Sequence, residues 1–163
     1  MSPPRRPAKV PAVKATIGWR EWVRLPDFGV DFIKAKVDTG ARTSSLHASD
    51  IEDFVRDGVD YVRFCVHPEQ RSSHPEILVE APLVARRRVR NSGGKTELRP
   101  VVETDIDLLG QRWSIELTLT RRTDMGFRML LGRQAIRGHF VVDPGRSFLS
   151  GKRTKKKKKG NKK

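Results

Sequence analysis

Val37-Asp38-Thr39-Gly40-Ala41 directly follows the run Phe32-Ile33-Lys34-Ala35-Lys36, and the reading of the chain starts from that junction. The run alternates apolar and basic residues, the period of a strand with one buried face. Where the alternation stops there is a carboxylate, then a hydroxyl, then a glycine that permits a tight turn. About ninety residues on, Met129-Leu130-Leu131-Gly132-Arg133 is an apolar run that closes on glycine and leads into Gln134-Ala135-Ile136.

Short strands separated by turn signals fill most of the space around these two segments. Ile17 to Leu25 reads as a first strand, and Pro26-Asp27-Phe28-Gly29 as a turn into the strand that ends at Asp38. Ser44 to Ala48 reads as a short strand, and Tyr61 to His67 alternates cleanly as another. Gln70 to Pro75 is a polar loop, Val84 to Asn91 a basic strand, and Asn91-Ser92-Gly93-Gly94-Lys95 a hairpin turn. Thr96 to Ile106 runs back, Leu108 to Gln111 turns, and Arg112 to Leu119 returns. Gly132 to Arg137 suits one short helix and Phe140 to Val142 a closing strand. Many short strands at this spacing predict an all-β barrel or sandwich.

A chain of 163 residues is long enough for one domain with its own core. Its net charge of +15 is concentrated at the ends: nine basic residues from Lys152 onward and four among residues 1–14 supply thirteen of the fifteen charges. The part between is nearly balanced. The arm 1–16, with Pro3, Pro4, Pro7 and Pro11, and the Lys-rich tail 151–163 are expected to be disordered, flanking a domain over 17–150. The tail serves solubility or makes a loose contact with RNA or a ribosome. Cys65 is the single cysteine, so an intrachain disulfide is impossible and a reducing compartment fits. With neither a signal-type apolar region nor a membrane-length run, the expected location is cytoplasmic, without membrane contact.

The two motifs, in this order, resemble the retropepsin family of aspartic proteases. There, D-T-G-A carries the catalytic aspartate, and an apolar-apolar-Gly-Arg stretch supports it ahead of a short helix. The longer stretch Asp38 to Ala48, and Gly138-His139-Phe140-Val141-Val142-Asp143-Pro144, are similar to a bacterial, RimB-like branch labelled "ATP-dependent zinc protease". The resemblance covers about residues 17–150. It implies a closed β-barrel with a flap hairpin and one short helix, in which each chain holds half a site.

An aspartic protease needs two carboxylates that share one proton, one taking a proton from water while the other polarises the scissile carbonyl. This chain has one D-T-G; Asp143-Pro144-Gly145 lacks the hydroxyl, and Asp124-Met125-Gly126 lacks both the hydroxyl and a preceding apolar strand. The reading therefore requires a homodimer with Asp38 from each chain on the axis. By resemblance, Asp38 is catalytic, Thr39 cross-links the two loops and Gly40 admits substrate backbone, with Ala41 and Arg42 beside it. The hairpin with Gly93 and Gly94 takes the place of the flap.

Retroviral members usually have an aspartate after D-T-G-A, paired with the arginine of the second motif. Arg42 stands there instead, so Arg133 loses that partner. Together with Arg86, Arg88 and Arg90 on one strand face and Lys95 at the tip, these cations predict a groove for an acidic peptide. The other reading of the arginines pairs them with Glu97, Glu103 and Asp105 across the hairpin. Some family members occur with an ATP-grasp ligase that adds glutamates to the tail of a ribosomal protein, and a protease for such oligoglutamate tails would need a basic groove.

Two other functions remain open: a retropepsin-fold module that binds an anionic peptide or RNA without cleaving it, and a zinc hydrolase built on His47, Cys65 and His67, with His74 in reserve. No H-E-x-x-H or paired CxxC is present, and Ser92-Gly93-Gly94-Lys95-Thr96 lacks the upstream glycine of a nucleotide-binding loop. Neither metal nor cofactor is expected.

Overall fold

The computed structural model describes residues 13–69, 75–91, 93–121 and 126–151. Most of the basic arm, the Lys-rich tail from residue 152, His74 and Asp124 lie outside the described residues. The stretch expected as one first strand is two, β1 (Ala15–Ile17) and β2 (Arg20–Leu25). Gly18 separates them because residues 146–147 cross at that point. A Cβ on Gly18 would overlap the Arg146 carbonyl, which accepts the Trp19 N–H at 2.8 Å. Ala15 and Thr16, assigned to the arm on sequence, belong to the fold through β1.

A 3-10 turn (Pro26–Phe28), closed by Gly29 at φ +74, leads into β3 (Val30–Asp38). β4 (Ser44–Arg56) is much longer than the expected segment ending at Ala48. Past a bulge between Ser49 and Glu52 it forms a projecting hairpin with β5 (Val59–Val66), turned at Asp57 and Gly58 with φ of 52 and 76. Its outer half buries little, so the apolar alternation fades there. Phe54, Tyr61, Arg56 and Arg63 stack cations on rings across the strands instead. β6 (Ile77–Pro82), which sequence reading passed over, adds to β5.

β7 (Ala85–Arg90) and β8 (Thr96–Leu108) form the expected hairpin, and β9 (Gln111–Thr120) returns through a turn at Leu109 and Gly110. β10 (Met129–Gly132), α1 (Arg133–Ile136) and β11 (Phe140–Val142) complete the chain, with β1 and β11 paired in parallel. The main sheet runs β10-β3-β2-β8-β9-β4, and β10 also pairs with β4, so six strands close into a ring. The fold is all-β, as expected. Ile33, Leu46, Phe64, Ile106, Leu117 and Leu131 are fully buried inside it. Each contributes about 1.5–3 kcal/mol of burial free energy, the term that drives closure.

Among the described residues, Glu21 is the one acid at a fully buried position, 0 % exposed on the core side of β2. Its Oε2 accepts the Gly18 and Leu149 N–H groups at 2.6 and 2.9 Å; its Oε1 accepts the Ser150 N–H and hydroxyl at 3.0 and 2.9 Å. One carboxylate thus fastens the C-terminal segment to the start of the domain. Beside it, the Arg20 guanidinium lies 4.6 Å from the Trp19 ring centre and 4.8 Å from that of Phe148. Lys34 sits among the Trp22, Phe127 and Phe148 rings at 5.4–5.9 Å.

Candidate active site

β3 stops at Asp38 because its parallel partner β10 ends opposite, at Gly132. There the chain turns on the aspartate's own side chain: Oδ1 accepts the N–H groups of Gly40 at 3.0 Å and Ala41 at 3.2 Å. Among the described residues Oδ2 takes no hydrogen bond and no cation pairs with the carboxylate, so one oxygen is left for chemistry. Thr39 and Gly40 are exposed.

The second motif holds this loop from behind. The first N–H groups of a helix have no partner within it, and in α1 they bond the loop: Arg133 N–H to the Ala41 carbonyl at 2.7 Å and Gln134 N–H to that of Arg42 at 3.1 Å. Gly132 N–H donates to the Ser44 hydroxyl at 2.9 Å. A side chain at Gly132 would overlap the Thr43 carbonyl and lie 3.0 Å from that of Ala41, which is why the apolar run must close on glycine. Gly132→Ala is expected to cost about 1–3 kcal/mol and to shift the Asp38 loop; a thermal unfolding midpoint equal to the parent's would refute the packing argument.

Arg133, expected beside the substrate, is not among the residues that line the cleft. Its guanidinium donates to the Thr39 carbonyl at 3.1 Å, clamping the turn from outside the cleft lining. Where the resemblance implied an acidic partner, it takes a backbone oxygen.

A cleft of about 1130 Å³ runs between Asp38 and the β7–β8 hairpin, with Ala41, Arg42, Arg88, Arg90, Gly93 and Lys95 in its lining. Arg86, Arg88 and Arg90 share the exposed face of β7. The ion pairs differ from those expected across the hairpin. Arg86 pairs with Asp53 of β4, Arg87 with Glu116 of β9 at 3.0 Å, and Asp105 takes Arg112 at 2.9 Å. The hairpin bends over the sheet, which brings β4 and β9 within reach of β7.

Among the described residues, two of the three acids lining the cleft are neutralised: Glu116 by Arg87 and Glu97 by Arg99 at 3.0 Å. Lys36, Arg42, Arg88, Arg90, Lys95 and Arg121 have no carboxylate of the described residues within ion-pair reach, and Asp38 is the remaining acid of the described lining. Sequence reading missed Lys36, whose signal was its place two residues before Asp38 on the same strand face.

It also missed the network that ties down the hairpin tip. Asn91 Oδ1 accepts the Gly93 and Lys95 N–H groups, and its amide donates to Glu97 at 3.0 Å. Glu97 also accepts from Arg99 and the Thr120 hydroxyl. The Asn91 amide first, then Arg99 and Thr120, hold the Glu97 carboxyl below its ordinary range against the effect of burial. A lowered carboxyl pKa stabilises the fold above the ordinary carboxylate range and ceases to do so as pH falls through the lowered value, so the tip stays anchored at neutral pH.

The proposed zinc ligands do not converge. His67 Nε2 is within 2.7 Å of the Ser49 hydroxyl, and the His47 and His67 ring centres are 5.5 Å apart. Cys65 lies instead with Asp50 and Glu76, their ligand atoms within 4.8 Å of one another. Burial, reinforced by those two carboxylates, pushes the Cys65 thiol pKa up, and zinc binds thiolate.

A family model described as retropepsin-like aspartic endopeptidase RimB matches residues 16–153. The chain belongs to the RimB-like family. Similarity to curated proteins extends to this RimB-like segment within longer chains. A probable alpha-L-glutamate ligase of Shewanella pealeana is 46% identical over 140 residues, 86% of this chain and 31% of that protein. One from Desulfotalea psychrophila is 44% identical over 131 residues, 80% of this chain and 28% of the relative. The chain thus spans about a third of the length of the curated relatives it matches. Among solved structures, a Legionella pneumophila protein of unknown function has a TM-score of 0.72 at 31% identity, covering 85% of this chain and 99% of that one. Among the described residues no helix is long and apolar enough to cross a membrane.

Proposed function

We propose that this chain is an aspartic endopeptidase that hydrolyses acidic, glutamate-rich peptides when two copies join their Asp38 turns. The observation that carries the reading is the cleft itself: a strand-end aspartate with one free oxygen, facing cations that no carboxylate of the described chain neutralises. Such an array is unfavourable without an anion, and an extended peptide of glutamates supplies several. The exposed Thr39 and Gly40 are where a second turn would pack.

In the joined site the two carboxylates share one proton. The ionised one takes a proton from water as that oxygen attacks the scissile carbonyl, and the protonated one donates to the carbonyl oxygen. Gly93, at the anchored hairpin tip, and Lys95 would then close over the peptide. The names of the relatives support the substrate class, since a glutamate ligase makes glutamate-containing chains.

They also favour a second reading, a module that holds such a chain without cutting it, because the matched segment lies in proteins named as ligases. Matched Glu-rich and Gln-rich decapeptides, followed by mass spectrometry over a protein dilution series, separate the readings. The expected result is cleavage of the Glu-rich peptide, with specific activity falling on dilution as the dimer dissociates. Binding without cleavage at any concentration selects the module; full activity in a species that sediments as a monomer overturns the shared site.

A further inference from the structure

Lys36 enters neither of the two motifs, yet it occupies the cleft position nearest Asp38 along β3. Residues two apart in a strand point to the same side about 6.5–7 Å apart, and Lys36 and Asp38 both line the cleft. Directly opposite Lys36 stand Leu130 on β10 and Arg20 on β2, neither of them an acid. Lys34, the preceding cation on that face, is taken up by three aromatic rings. Arg20 is likewise held between two. Of the basic residues at this end of β3, Lys36 is the one that reaches into the cleft.

We infer that Lys36 determines specificity, reading the carboxylate of the substrate residue that flanks the scissile bond. The inference rests on the peptidase reading above and deepens it, dividing the basic cleft into two parts. On that reading chemistry takes place at Asp38, so the side chain next to the cleaved bond lies within one strand step of it, in the part of the cleft that Lys36 lines. Arg88, Arg90 and Lys95 approach from the hairpin instead and meet side chains farther along the peptide. The cation is a compact donor on a flexible stem, suited to one carboxylate rather than to a bidentate clamp.

The test uses the full chain and synthetic glutamate decapeptides in which each Glu in turn is replaced by Gln, with the cleaved bond located by mass spectrometry. In the parent, Gln beside the scissile bond should lower kcat/KM about 10- to 100-fold, the size of one charge-assisted contact. In Lys36→Gln that penalty should vanish, while penalties at outer positions persist. Lys36→Arg should retain it, and Lys36→Glu should come to favour a peptide with Lys at the flanking position. A Lys36→Gln variant that loses the same factor on every peptide, or a Lys36→Glu variant with no gain on the Lys peptide, overturns the role of Lys36 and leaves the peptidase reading standing. A parent that cuts none of the peptides overturns the peptidase reading, and the inference with it.

Discussion

Asp38→Asn is expected to leave the fold intact and to lower turnover on glutamate-rich peptides by at least about 10³-fold, the upper range for removing a group that transfers protons. The substitution isolates chemistry from structure because Asp38 has two jobs on two oxygens. Oδ1 accepts the Gly40 and Ala41 N–H groups, and an asparagine carbonyl oxygen can still accept both. The other oxygen, left free by the turn, becomes an amide that can neither accept a proton from water nor share one with a second carboxylate. A variant with the parent's melting temperature, unchanged binding of the acidic peptide and no cleavage would assign the chemistry to this residue. Equal turnover in parent and variant would remove Asp38 from the mechanism.

Glu21→Gln, nearly isosteric, is expected to destabilise the domain by about 3–5 kcal/mol, as charge-assisted bonds are lost and a buried donor is left without an acceptor. Each carboxylate oxygen accepts two donors: Gly18 and Leu149 N–H on one, Ser150 N–H and hydroxyl on the other. Whichever way the Gln amide is turned, its NH2 faces at least one buried N–H donor. At 0 % exposure water offers no relief. For a domain of this size the loss corresponds to a fall in midpoint of roughly 10–20 °C, measurable by thermal unfolding. A midpoint within about 2 °C of the parent's would mean that the C-terminal segment is not held by this carboxylate.

Glu21 also marks the limit of sequence reading. In Arg20 to Leu25 it occupies the parity of Val23 and Leu25, and nothing local says that the donors for its carboxylate come from residues 149 and 150. The hairpin arginines posed the same difficulty. Pairing across β7 and β8 is what proximity along the chain suggests, but the hairpin folds over the sheet and Arg86 and Arg87 find Asp53 and Glu116. Ion pairs follow spatial neighbours, and those were set by ring closure. The Asp57-Gly58 turn, by contrast, carried a local signal that the sequence reading passed over: both residues take left-handed φ, as Asp-Gly hairpin turns do.

The sequence by itself determined the all-β class, the strand ending at Asp38, the turn it enters, the short helix after Gly132 and the basic hairpin strand. These depend on alternation, turn chemistry and motif spacing, which act within a few residues. The tertiary structure alone decided that α1 spends its unpaired N–H groups on the Asp38 loop and that Arg133 clamps the Thr39 carbonyl. Each of these depends on which backbone atoms meet when β10 pairs with β3 and β4, a contact between segments about ninety residues apart.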